Sequence, residues 1–310
     1  MTNLILIAQM RKQDRQQERI KKLAGTKCKG AKKIKGTGTG DRLRNKDQQK
    51  GKQKLITSLA RFRFNKMVNK VSKMDCRLGL KMLPDECIDL VVTDPAYKVI
   101  SGGKPDKSKG APSGMLSLND GKIFRHNEIN FSEWLTEVYR VLKDQSHCYI
   151  FTNFLNLKEL MDEALRVGFK AHNLLIWEKN NATPNKWYMK NCEYVLMLYK
   201  GKAKFINHCG SKTVHQFNNV RNKQHPCEKP EDLIQFYIEN SSKEGDVICD
   251  PFAGVNGFAL AALKSNRQFI GFEIDEEYYR IGQKRINDYH LSSSKVVWES
   301  SEDGQLAIVL

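Results

Sequence analysis

Apart from Leu4–Ala8, large apolar residues are sparse before Leu55; after it they recur in short dense runs separated by amphipathic stretches. Three runs are apolar almost throughout and stop at an acid or at turn chemistry: Asp89–Thr93, Asp246–Asp250 and Gln268–Glu273. Runs of this kind suit buried strands of a parallel sheet. Lys66–Met74 and Cys148–Thr152 predict two further strands. Leu174–Glu178 and Tyr194–Tyr199, with a polar loop between them, predict an antiparallel hairpin at one edge of the sheet. Helical spacing predicts short helices over 77–83 and 131–142, the latter with apolar groups at 131, 134, 135, 138, 141 and 142. Further helices are expected over 157–167, stopped by Gly168, and over 231–240, 258–265 and 275–289. Residues 55–68 carry apolar groups at loosely helical spacing, and 200–224 are polar without a period. Strands alternating with helices define an α/β fold with a mostly parallel sheet.

Charge divides the chain in two. The net charge is +17, yet residues 1–73 alone hold 22 Lys and Arg against 4 Asp and Glu, so the rest is close to neutral. Residues 1–66 form a basic N-terminal extension. Over 9–54 this extension has too few apolar groups to offset its ordering entropy and reads as disordered. It is attracted to polyanions, nucleic acid first and anionic membrane second, or is a solvated passenger. The body is expected over 67–290, with a C-terminal tail over 291–310. No apolar run reaches the ~20 residues needed to cross a bilayer. The eight cysteines contain no C-x-x-C pair and no zinc spacing, so no metal site is expected. The expectation is a soluble cytoplasmic protein with reduced thiols.

Chemistry concentrates at two strand ends. Asp94-Pro95-Ala96-Tyr97 follows the Asp89–Thr93 strand, where open α/β sheets bind ligands. A carboxylate and a proline carbonyl can each accept one N–H of a nucleobase amine, and a tyrosine face can hold a flipped base. An Asp-Pro step after a strand is also an ordinary turn. Pro251–Gly257, between the 246–250 strand and a helix, is a glycine-bearing turn, and Glu273 ends the next strand. That is the physics of a nucleoside cofactor site, with backbone close to the ligand at Gly254 and an acid for ribose hydroxyls. The absence of G-x-G-x-x-G disfavours a dinucleotide.

Taken together, four stretches over about 67–290 resemble the amino-group DNA methyltransferases that depend on S-adenosylmethionine. Asp94-Pro-Ala-Tyr97 is similar to the D-P-P-Y catalytic motif. Asp250-Pro-Phe-Ala-Gly254 with Phe269–Glu273 is similar to the cofactor motifs. His225-Pro-Cys-Glu-Lys229-Pro230 resembles the H-P-x-x-K-P box, and Trp177-Glu-Lys179 with Glu193 the edge hairpin. The order resembles the permuted class, in which the catalytic motif comes first. The resemblance implies a Rossmann-like, circularly permuted methyltransferase sheet acting on double-stranded DNA. It implies that Asp94 and the Pro95 carbonyl hold the target amine and that Tyr97 stacks on the base. Phe252, Ala253 and Gly254 would line the cofactor, with Asp250 at the head of that turn. Glu273 would bind the ribose and Asp75-Cys76 the adenine edge. Lys229 would reach the cofactor carboxylate, or be a surface lysine beside a helix start.

An acid at the head of the tetrapeptide resembles the adenine-N6 enzymes; cytosine-N4 specificity, an RNA substrate and a catalytically impaired nucleic-acid-binding relative are the alternatives. Three departures stand out. Ala96 replaces a proline, Asn256 stands where a second glycine is usual, and the 200–224 target-recognition segment is short. Target reading is therefore expected to fall partly to a mobile loop over 98–126. Pro226-Cys227 lies before a helix rather than after a strand, which disfavours cytosine-C5 chemistry. A homodimer stays open, and no protein partner is implied.

Overall fold

The computed structural model describes residues 58–96, 99–100, 117–118, 126, 129–183, 187–221, 223–225, 227–293, 297–300 and 306–309. The expected basic extension up to residue 57, Tyr97, Pro226 and most of the 98–126 loop lie outside the described residues.

An eight-stranded sheet forms the centre, in the order β1-β10-β9-β2-β5-β7-β6-β8. Its strands are β1 (Lys70–Lys73), β2 (Ile88–Thr93), β5 (Leu142–Thr152), β6 (Lys170–Thr183), β7 (Lys190–Tyr199), β8 (Val214–Gln216), β9 (Val247–Asp250) and β10 (Gln268–Glu273). Two short pairs stand apart from it: β3 (Val99–Ile100) with β4 (Ser117–Leu118), and β11 (Val297–Ser300) with β12 (Leu306–Val309). Of the eight central strands, β7 alone runs against the rest, because it pairs antiparallel with both β5 and β6 while β8 pairs parallel with β6. The expected antiparallel hairpin is therefore present but is not the edge. β8 covers it, inside the 200–224 stretch that shows no period. Three residues with only His215 buried carry too little alternation to be seen in advance.

Helices cover both faces. On one lie α2 (Cys76–Met82), α3 (Leu135–Val141) and α4 (Phe154–Val167), whose Leu80, Val138 and Leu160 pack with Val91, Cys148, Ile150 and Ile270. On the other lie α5 (Glu231–Ser241), α6 (Gly257–Lys264) and α7 (Glu276–Ser293), whose Leu233, Ala259 and Ile286 pack with Leu90, Val92, Tyr149 and Ile248. Leu90 and Val92 thus face one layer and Val91 the other, so β2 must be apolar on both sides.

Element boundaries moved where caps intervene. Residues 58–67 are helical (α1), and Asn69 turns the chain in the left-handed region at φ 58°, so the expected 66–74 strand contracts to β1. Helix α3 stops at Val141, and Leu142 already begins β5, whose first turn-out is at Gln145 with φ 58°. Asn153 caps α4 by accepting from the Leu155 and Asn156 amides, so that helix starts three residues before its apolar period does. The last helix continues to Ser293, and β11 and β12 fall within the stretch expected to be a plain tail.

Candidate active site

Four neighbouring strands end in acids on the same side of the sheet. β1 leads into Asp75, β10 ends at Glu273, β9 at Asp250 and β2 leads into Asp94, and these strands are adjacent in the order β1-β10-β9-β2. The chain order reverses between β9 and β2, which is the switch point where such sheets bind ligands.

The two motifs are tied together at that point. Thr93, buried at the end of β2, donates its hydroxyl hydrogen bond to Asp250 Oδ1 at 2.5 Å. The Phe252 amide donates to the same oxygen at 2.9 Å. Asp94 and the buried Pro95 follow directly, so the amine-binding candidates sit one residue from the cofactor strand. Burial pushes Asp250 up to about 7, with the Asp94 and Glu273 charges adding to the shift and the Thr93 and Phe252 hydrogen bonds opposing it.

The glycine turn is held by backbone and by Glu273. Gly254 has φ 51° and its amide donates to Glu273 Oε2 at 2.7 Å, while the Asp275 amide donates to Oε1 at 2.7 Å. The Ala253 amide donates to the Phe272 carbonyl at 2.9 Å. Burial raises Glu273 to about 6, against those amide hydrogen bonds. Asn256 occupies the left-handed region at φ 65°, ψ 28°, the geometry that lets asparagine stand in for the second glycine. Phe252 lies edge-on to Trp134, with ring centroids 5.0 Å apart.

Three of the expected cofactor residues also have partners within the protein. Asp75 caps α2 by accepting from the Arg77 amide at 2.8 Å, and its carboxylate also receives the Arg77 guanidinium. That guanidinium holds Asp75 below its ordinary range, and Glu133 takes its other end at 2.6 Å. Cys76 is buried against the core, which raises its thiol to about 12. Lys229, expected at the cofactor carboxylate or on the surface, is buried; it donates to Asp94 Oδ2 and lies 3.3 Å from Glu193 Oε2. The physical reason is burial: its ammonium, 6% exposed, takes the carboxylates beside it. Burial lowers the Lys229 ammonium, but Asp94 and Glu193 more than offset this and the net shift is upward. Glu193 is shared with Lys179, so an alternating chain Lys179–Glu193–Lys229–Asp94 runs from the β6–β7 hairpin to the end of β2.

Several of these groups are not marked in the sequence. Glu193 matches the hairpin pattern, but nothing local assigns it to Lys229. Arg285 of α7 donates to the Val255 carbonyl at 2.9 Å and pairs with Glu228 and Glu231, locking the 225–230 box onto the glycine turn. Trp134, fully buried under Phe252, shows only as a helical core position. Among the described residues no group of three or more His, Cys, Asp or Glu is arranged to hold a metal ion.

Acids on adjacent strand tips, a left-handed glycine turn and a switch point together define the fold of the S-adenosylmethionine-dependent methyltransferases. Solved structures share it: the M1.HpyAVI–SAM complex superposes with a TM-score of 0.53 at 21% identity, covering 70% of this chain and 98% of that one. The cytosine-N4-specific PvuII DNA methyltransferase does so with a TM-score of 0.53 at 18% identity, covering 72% and 91%. Residues 88–284 match the family model described as DNA methylase (N6/N4), and the chain belongs to that family. Among curated relatives, the Type II methyltransferase M.HinfI of Haemophilus influenzae is 29% identical over 73% of this chain and 70% of its own length. The DNA adenine methyltransferase YhdJ of Escherichia coli (strain K12) is 28% identical over 73% and 85%.

Proposed function

We propose that this DNA methylase transfers a methyl group from S-adenosylmethionine to the exocyclic N6 amine of adenine in duplex DNA, after the base is flipped out. The observation that carries it is the Thr93–Asp250 hydrogen bond, which joins the strand end leading into Asp94 and Pro95 to the strand end leading into the glycine turn. The residues present fit a ligand of net positive charge. Asp250 is buried and pushed up to about 7 by that burial, a desolvation cost that a neighbouring cation offsets. When bound, S-adenosylmethionine supplies an electrophilic methyl on a sulfonium that leaves as a neutral thioether.

Asp250, Phe252, Ala253, Gly254 and Glu273 hold the cofactor, with Asp75 and Cys76 on its adenine side. Asp94 and the Pro95 carbonyl accept the two amine hydrogens, so the nitrogen lone pair leaves conjugation and points at the methyl group. Tyr97 stacks on the flipped base. Lys229, backed by Glu193, fixes the Asp94 carboxylate in place for this step. After transfer the methylated amine is cationic and passes one proton to water, directly or by way of the Asp94 carboxylate that accepts its hydrogen bond, and positioning supplies most of the acceleration. The catalytic strand β2 precedes the cofactor strand β9 in the chain, which supports the permuted class.

Adenine is preferred over cytosine because an acid heads the tetrapeptide and because YhdJ, an adenine methyltransferase, aligns over most of its length. The test incubates the protein with duplex DNA and S-adenosylmethionine, digests to nucleosides for mass spectrometry, and maps the modified site by sequencing. N6-methyladenine is expected. N4-methylcytosine instead would retain the mechanism and move the base. Asp94→Ala should lower the rate at least ~10²-fold while leaving cofactor binding in place; activity that survives it would overturn the mechanism.

A further inference from the structure

The β6–β7 hairpin extends beyond the sheet. Its last well-covered pair is Trp177 opposite Glu193; beyond this, Asn180, Asn181, Ala182 and residues 187–191 are all exposed. At the tip stand three consecutive large apolar side chains, Trp187 at 86%, Tyr188 at 93% and Met189 at 61% exposure. A two-stranded ribbon gains little stability from such groups in water, so a run of them at its tip marks a binding element. The ribbon is braced rather than loose: Asn219 donates through its amide to Asn180 Oδ1 at 3.1 Å and through Nδ2 to Asn181 Oδ1.

Charge identifies the partner. Beside the ribbon, Lys179, Lys190 and Arg221, two residues past the bracing Asn219, carry positive charge, while the neighbouring acids are engaged, Glu178 by Gln216 and Glu193 by Lys179 and Lys229. A basic surface bearing aromatic side chains suits nucleic acid, whose phosphates take the charge and whose bases take the rings. Geometry identifies the role. The ribbon's root, Glu193, belongs to the ion chain that ends on Asp94; Lys190, the first residue of β7, lies three residues further out, about 10 Å at strand spacing, and Tyr188 follows two residues beyond it. A duplex groove about 12 Å wide admits a two-stranded ribbon. A base drawn to Asp94 therefore leaves its gap within reach of the tip.

We propose that the β6–β7 ribbon is a duplex wedge: Tyr188, flanked by Trp187 and Met189, enters the stack and takes the place of the extruded base. This rests on the reading of the chain as a duplex-DNA methyltransferase. Apolar and aromatic wedges offset the unstacking cost of the step they open. The wedge matters for a paired target and not for one whose base is already unpaired.

The test compares wild type with a Trp187→Ala/Tyr188→Ala variant of the full chain in single-turnover methylation. Two duplexes carry the mapped site, one fully paired and one with an abasic position opposite the target base. The variant is expected to slow at least ~30-fold on the paired duplex, the order of an unaided unstacking penalty. On the abasic duplex it should stay within about threefold of wild type, which also shows that it folds and binds cofactor. A variant equal to wild type on both duplexes, or equally slow on both, overturns the wedge; the former would turn the tip over to a protein partner. Wild type inactive on both duplexes would overturn the methyltransferase reading itself.

Discussion

Asp250 and Glu273 are acids placed where water cannot fully solvate them, and their titration follows from that. Burial raises Asp250 from 3.8 to about 7 and Glu273 from 4.5 to about 6. Between about pH 4 and 7 the folded protein therefore binds more protons than the unfolded chain, so these groups' contribution to stability is largest at low pH and is lost as pH rises through their folded values. A positively charged cofactor favours the ionised acids, so its binding should release protons near pH 6.5. Calorimetry in buffers of different ionisation enthalpy should detect that release, and affinity should rise with pH up to about 8 before levelling. Asp250→Asn should abolish most of the proton release, weaken cofactor binding and raise the melting temperature at pH 8. A pH-independent affinity would show that Asp250 does not face the bound cation.

At the scale of elements, the glycine turn and α7 are fitted to each other through one exchange of size. Asn256 is fully buried, and neither of its side-chain polar atoms has a hydrogen-bond partner in the structure. Its amide lies against Gly282 of α7, where an added Cβ would fall 2.5 Å from Asn256 Nδ2. The bulk absent from the helix is thus present in the turn. Gly282→Ala alone should destabilise by about 1–3 kcal/mol through overpacking. Asn256→Gly removes a left-handed asparagine and an unsatisfied amide but opens a void. Combined, the two should recover most of the loss, giving a coupling of about 1–3 kcal/mol in a double-mutant cycle measured by denaturant unfolding. Additive effects would mean that turn and helix are not in register as described.

At the scale of the whole molecule, basic residues concentrate in the extension and in the 179–227 stretch of the sequence rather than throughout. Deleting residues 1–54 should weaken DNA binding and reduce the slope of affinity against salt, by roughly 0.9 for each phosphate no longer neutralised. An unchanged slope would leave the extension without a role in binding. The chemistry-bearing ends of β2, β9 and β10 were legible in the sequence because each is a local event: an apolar run that stops at an acid, and in one case a glycine turn. The helices were legible through their period. Tertiary structure alone decided which of these ends meet. Thr93 and Asp250 are 157 residues apart and Lys229 and Asp94 are 135 apart, and contacts at such separation leave no spacing to read. The same holds for Glu193 beneath Lys229, for Arg285 behind the box and for Asn256 against Gly282. β8 joins the sheet because His215 and the Phe217 carbonyl find Tyr237 and Trp177, not because its own three residues favour a strand. Local periodicity is set by how a backbone repeats, and so it can be read along the chain. Partners for buried charge are set by which strands lie side by side, and only the folded sheet determines that.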